Sequence, residues 1–320
     1  RIYLMGMPVI LLYNFEAAIF RSVGETRVPL VALAMSGVLN VLLNLFFVAV
    51  LHMTVNGVAI ATVMANAFSS ALLFRRLLRS VQADIRLEPR KLRMDGRSLW
   101  MILRIGLPAG LQSAVFAISN IVIQSAINSL GKVVMAASSA AYNIEVFAYD
   151  VMNSYNQACT TFVGQNYGAG QIRRCRKTLY LCLIEDAVSL GATVALVLLT
   201  GRFLLSIFNN DPQVIALGYD RLKIVFFAYI FSLLYEVMSG YLRGFGISLV
   251  PAALTALGVC GIRIAWIHFV FPQHPTLQTI MTSYPVSLSA TALMIFIALL
   301  CYRPARKHAA MEREPAPAGN

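Results

Sequence analysis

The residues able to do chemistry in this chain are polar side chains set inside long apolar runs. Acids occur at Glu145, Asp150 and Glu236, a guanidinium at Arg263, and amides at Asn40, Asn44, Gln112 and Asn143. Each is costly in an apolar surrounding. Each is therefore a candidate for binding or moving an ion or a polar ligand, with the joining of one helix to another as the alternative role. Asn40 and Asn44 are four residues apart and share a helix face. Asp150 can pair with Arg263, either as a structural ion pair or within a transport site. A proton-coupled carrier needs a carboxylate that gains and loses a proton inside a partly dry cavity, and Glu236 and Asp150 are the candidates for that role. Glu16 and Glu185 read as solvated or interfacial.

Other kinds of chemistry find no support in the spacing. His52, His268, His274 and His308 sit in no catalytic setting at a membrane face. Cys159, Cys175, Cys182, Cys260 and Cys301 are odd in number and scattered, with no CxxC or Cys/His ligand spacing, so they read as small buried hydrophobes. Gly164, Gly168 and Gly170 end a helix ahead of a basic run, and no strand or phosphate-loop Lys accompanies them. No cofactor, metal or covalent reaction is expected, and the chain does not read as an enzyme.

The elements that must position these residues are membrane helices. In 320 residues, 58% are hydrophobic and only 12% charged, and the mean hydropathy is +0.71. A soluble globular domain is far less apolar. The runs are too long for barrel strands, so the fold class is an all-α integral membrane protein, a polytopic helix bundle. Nine spans are expected, over 2–21, 29–51, 55–74, 99–127, 133–163, 178–200, 223–242, 250–271 and 286–302. The net charge of +12 does not imply nucleic acid, because most Lys and Arg lie between apolar runs, as cytoplasmic loops require. Alternate connections are basic, which places residue 1 outside and the C-terminus in the cytoplasm. Taking about 1.5 Å of rise per residue from the cytoplasmic ends, Asn40 lies roughly 16 Å deep, Asn44 roughly 22 Å, and Gln112, Asp150 and Arg263 near 20 Å. Glu145 is shallower on the outer side, and Glu236 is nearer the cytoplasm.

A stretch of the chain occurs twice. LLYNFEAAIFRSVGETRVP at 11–29 and LLYEVMSGYLRGFGISLVP at 233–251 agree, at an offset of 222, in Leu11, Leu12, Tyr13, Arg21, Gly24, Val28 and Pro29. Each copy predicts a helix end, a Gly-bearing turn and a Pro-led helix start. An internal repeat fixes architecture. Three helices precede the second copy within its half, and the same block ahead of the first copy would lie before residue 1. The expectation is nine spans of twelve, in two pseudo-symmetric six-helix lobes related as parallel repeats. Residues 1–78 form half of an N-lobe, 79–97 a basic cytoplasmic linker, 98–303 a complete C-lobe, and 304–320 a cytoplasmic tail.

RSVGETRVP at 21–29, LNVLLN at 39–44, GLPAGLQ at 106–112, GQNYGAG at 164–170 and LRG at 242–244 together resemble the multidrug and toxic compound extrusion (MATE) transporters of the MOP flippase superfamily. The resemblance runs over about 2–303 and begins at the family's fourth helix. It implies a monomeric secondary active multidrug exporter of the bacterial cytoplasmic (inner) membrane. Such a protein antiports cationic or amphipathic small molecules against H⁺ or Na⁺ by alternating access. Two positions depart from the pattern: where many members have Asn then Asp four residues on, this chain has Asn40 and Asn44, and where sodium-dependent relatives carry an Asp before the LRG motif, it has Ser232. A lipid-linked saccharide flippase of the same superfamily is the alternative, and an integral-membrane transferase is less favoured.

Overall fold

The computed structural model describes residues 1–80, 85–89 and 93–304; most of the tail at 304–320 and parts of the linker at 79–97 lie outside them. Ten α-helices are described: α1 Ile2–Ser22, α2 Arg27–Leu45, α3 Val55–Leu78, α4 Gly96–Ser129, α5 Lys132–Gly168, α6 Ile172–Phe208, α7 Pro212–Gly244, α8 Leu249–Thr255, α9 Ile262–Phe269 and α10 Leu277–Tyr302. Two wider i→i+5 turns interrupt them, at Phe46–Val50 after α2 and at Ala256–Gly261 between α8 and α9. No strand occurs among the described residues. The chain divides into two compact units, Arg1–Asp95 and Gly96–Asn320.

In the first unit α3 packs on both α1 and α2, around Tyr13, Ala17, Phe20, Ala32, Leu73 and Leu77. Polar bonds add to this core. Ser36 Oγ donates to the Ala65 carbonyl at 2.6 Å. Ser70 Oγ donates to Glu16 Oε2 at 2.9 Å, so Glu16 is buried between helices and is not the solvated or interfacial side chain the sequence suggested. The acid sits on the inner face of α1, beside Tyr13, Ala17 and Phe20, which the same helix buries. Glu185 is exposed.

In the second unit α7 is the central helix, packed on α5, α6 and α10. Its contact with α5 is close because Gly240 and Gly244 put no side chain between the two backbones. A Cβ on Gly240 would lie 2.6 Å from the Asn156 carbonyl and Oδ1, and one on Gly244 2.6 Å from Val163. Thr160 Oγ1 donates across this seam to the Gly240 carbonyl at 3.1 Å. Small residues four apart are the usual means of close helix approach in lipid, where tails offer as much apolar contact as Leu does.

The repeat is visible in the backbone. α1 ends at Ser22 and α7 at Gly244; α2 starts at Arg27 and α8 at Leu249; α3 starts at Val55 and α10 at Leu277, each pair 222 residues apart. Gly24 and Gly246 both adopt the left-handed region, at φ 82° and 79°. The turns share their bonds, Gly24 N to Arg21 O and Glu25 N to Phe20 O matching Gly246 N to Arg243 O and Ile247 N to Leu242 O.

Another expectation changes. The connection between the spans expected at 178–200 and 223–242 is only residues 209–211, because α6 runs on to Phe208 and α7 begins at Pro212. Asp211 caps α7, accepting from the Gln213 amide at 2.8 Å with Pro212 in the first turn. The span expected at 133–163 falls within α5. Among the described residues eight helical segments are long and apolar enough to cross a membrane by length and composition, and α5 is not one of them. α5 has 37 residues, so composition and not length sets it apart.

Candidate functional site

The polar residues of α5 have a direction. Tyr142, Glu145, Tyr149, Asn153 and Asn156 recur at helical spacing and line one cavity of about 530 Å³ within the second unit. Gln112, Phe116 and Asn120 come from α4, and Tyr229, Ser232, Glu236 and Arg243 from one face of α7. Arg263 and Tyr284 complete the lining from α9 and α10. A cavity of this size suits a small organic molecule, and its tyrosines offer flat apolar surface with a polar edge. A second cavity of about 270 Å³ adjoins Asn120, Tyr142, Arg221 and Tyr284.

Glu145 is neutralised. Arg221 reaches it from α7 with Nε at 2.7 Å from Oε1 and Nη2 at 2.8 Å from Oε2, and both side chains are 4% exposed. This two-point fork joins α5 to α7. Glu236 is held differently: its Oε2 accepts from Asn156 Nδ2, and the Asn156 Oδ1 is buried with no partner. One helix away, on α6, Asp186 is fully buried and neither carboxylate oxygen has a hydrogen-bond partner. Glu236 lies within its electrostatic reach.

Arg263 owes its aim to the wide turn just before it. An i→i+5 turn inserts one extra residue, which rotates everything after it around the helix axis, and such turns are frequent at functional sites. Arg263 Nε donates to Ser287 Oγ at 2.9 Å, and its guanidinium lies 4.0 Å from the centre of the Tyr284 ring.

Of the eight residues singled out in the sequence, Gln112, Glu145, Glu236 and Arg263 meet at the larger cavity. Asp150 and Asn143 do not: both are exposed, and the Asn143 amide bonds back to the Ser139 carbonyl at 2.9 Å. The expected Asp150–Arg263 pair is absent among the described residues, since Arg263 turns to Ser287 and Asp150 is on the outward face of α5. Asn40 and Asn44 belong to the first unit. Asn44 Nδ2 donates to Asn40 Oδ1 at 3.0 Å and Asn40 Nδ2 to Thr62 Oγ1 at 3.5 Å, which bonds α2 to α3. Asn156, Tyr284 and Ser287 were missed. The α5 stripe at helical spacing was the available signal for Asn156.

Comparison with known proteins agrees with this architecture. The family model MatE matches residues 108–267. The chain is 27% identical over 265 residues to the probable multidrug resistance protein YpnP of Bacillus subtilis, covering 82% of this chain and 58% of that protein. It is 23% identical over 305 residues to the probable multidrug resistance protein YoeA of the same organism, covering 92% and 65%. Among solved structures, a multidrug resistance MATE family transporter of the MOP superfamily in an outward-facing conformation matches with a TM-score of 0.85 at 19% identity. That match covers 98% of this chain and 69% of the other. The chain spans about six-tenths of the length of these curated relatives.

Proposed function

Because the chain belongs to the MatE family, we propose that the protein is a secondary active exporter of cationic or amphipathic organic compounds, exchanging them for inward-moving H⁺ or Na⁺ across the bacterial inner membrane. The observation that carries this reading is a ligand-sized cavity with a buried carboxylate, Glu236, on its wall. No covalent step is needed. The protein acts as a monomer, by binding and by alternating access, and the ion gradient supplies the work. One charge moving through 100 mV yields about 2.3 kcal/mol, enough for tens-fold accumulation. Glu236 is the coupling acid in this scheme, with Asp186 a second buried acid within its electrostatic reach.

The test is export by the full-length protein in an efflux-deficient bacterium. It raises resistance to cationic and amphipathic dyes and extrudes them under an imposed H⁺ or Na⁺ gradient, and Glu236→Gln weakens the extrusion and its dependence on the gradient. Absence of both resistance and gradient-driven extrusion sinks the export reading. Coupling unchanged in Glu236→Gln removes that residue from the scheme.

Arg243 and Arg263 on the same lining favour a second reading, a flippase for lipid-linked saccharides, whose carrier bears phosphate. Complementation of a flippase-deficient strain, without dye export, supports it.

A further inference from the structure

The second unit buries Arg221 and Arg263, and the two are treated differently. Arg221 is paired with Glu145 at both ends of its fork. Arg263, 6% exposed, has no ion-pair partner among the described residues: Nε donates to a neutral hydroxyl and one face rests on an aromatic ring. That leaves both Nη groups without a protein acceptor. They are also not sealed in, since they are absent from the fully buried unsatisfied atoms and Arg263 lines the larger cavity.

A desolvated guanidinium without a counter-charge is expensive, and this one is held in place. Tyr284 and Ser287 lie three apart on α10, and Ser287 Oγ in turn donates to the Tyr284 carbonyl at 3.1 Å. Ser287 thus uses its acceptor on Arg263 and its donor on its own helix. The fork is fixed before anything binds, so little side-chain freedom is lost when an acceptor arrives. The free Nη edge has the geometry that receives a carboxylate or phosphate at two points.

We infer that Arg263 is the docking group for an anionic group, a carboxylate or a phosphate, carried by the amphipathic compound that occupies this cavity. This rests on the export reading and narrows its substrate class: compounds with an anionic group, zwitterions included, are preferred over their esters. The tyrosines of the lining receive the apolar body, and Arg263 receives the charged end.

A matched pair of dyes tests it. Rhodamine 19 carries a free carboxylate, and rhodamine 6G is its ethyl ester with the same fluorophore. Binding to the purified full-length protein in phosphatidylcholine nanodiscs is read by fluorescence polarisation. The wild type binds the acid about tenfold more tightly than the ester, the size of one hydrogen bond to a charged group. Arg263→Gln brings the ratio to about one, and Arg263→Lys, which keeps the charge and loses the planar fork, falls between. Adding phosphatidylglycerol to the nanodisc distinguishes the source of the anion: Arg263-dependent competition assigns it to a lipid headgroup, and no competition to the free solute. A wild-type ratio near one without lipid competition overturns the inference, as does a preference for the acid that is undiminished in folded Arg263→Gln or Arg263→Lys. The wild-type ratio needs no variant, so misfolding of Arg263→Gln does not shelter the idea. If cells extrude neither dye while the acid preference holds on the purified protein, the export reading fails and the anion site stands.

Discussion

Glu145 and Arg221 illustrate how a charge becomes tolerable inside a bundle. Each is 4% exposed, and the fork between them has two short bonds, so neither is free to serve as a carrier of ions. Removing one partner leaves the other buried and unpaired, which costs about 3–5 kcal/mol, whereas replacing both by apolar groups of similar volume is close to neutral. Arg221→Met and Glu145→Met are therefore each expected to lower the thermal unfolding midpoint of the detergent-solubilised protein. The double variant Glu145→Met with Arg221→Met is expected to recover most of the loss, a double-mutant cycle with strong coupling. Additive losses would show that the pair is not a unit. The sequence could not reveal this pair, because a charge bordering an apolar run reads as loop. Arg221 falls between the spans expected at 178–200 and 223–242, and the carboxylate that neutralises it is 76 positions away.

Helices and turns were legible to the extent that their causes are local. The Gly-bearing corner at 11–29 and its echo at 233–251 announced the same turn, and Gly24 and Gly246 do share one backbone conformation. The wide turn at Ala256–Gly261 has no comparable signature in residue type, and it is what sets the bearing of Arg263. The α5–α7 seam shows which glycines matter for packing and which for backbone. A Cβ at Gly240 meets the Asn156 carbonyl and Oδ1 at 2.6 Å, while one at Gly246 meets open space and is opposed only by its φ of 79°. Gly240→Ala must part the two helices at the point where Asn156 holds Glu236, at a cost of about 1–3 kcal/mol typical of overpacking. Gly246→Ala carries the left-handed penalty of about 1–2 kcal/mol and leaves the seam intact. Gly240→Ala is therefore expected to lower both the unfolding midpoint and dye extrusion, and Gly246→Ala the midpoint alone. Extrusion untouched by Gly240→Ala would disconnect the seam from the cavity.

For the whole molecule the question is how many times the chain crosses the bilayer, and α5 decides it. Composition, apolar run lengths and the basic connections are enough to give a polytopic bundle, and the span expected at 133–163 falls on α5, whose mean hydropathy alone does not mark it as a span. Its length argues that it crosses: 37 residues rise about 55 Å, well beyond a hydrocarbon core of about 30 Å. Its polarity has an address too, since Glu145 is neutralised by Arg221, Asn156 is bonded to Glu236, and five of its polar or aromatic residues face the cavity. Such side chains are tolerated at membrane depth where they line protein or a cavity instead of lipid. If α5 crosses, Lys132 at its start and Gln171 just past its end lie on opposite sides, with Gln171 among the basic residues Arg173, Arg174 and Arg176 that favour the cytoplasm. Four of the five cysteines are buried and Cys301 is exposed, so within residues 1–320 a Cys301→Ser background leaves no exposed cysteine to compete for label. With a membrane-impermeant maleimide, Lys132→Cys and Gln273→Cys are expected to label in intact cells, and Gln171→Cys only after the membrane is opened. Labelling of Lys132→Cys and Gln171→Cys from the same side would take α5 out of the membrane. It would also invert α6 to α10, placing their basic ends outside, against the charge rule that the rest of the chain obeys.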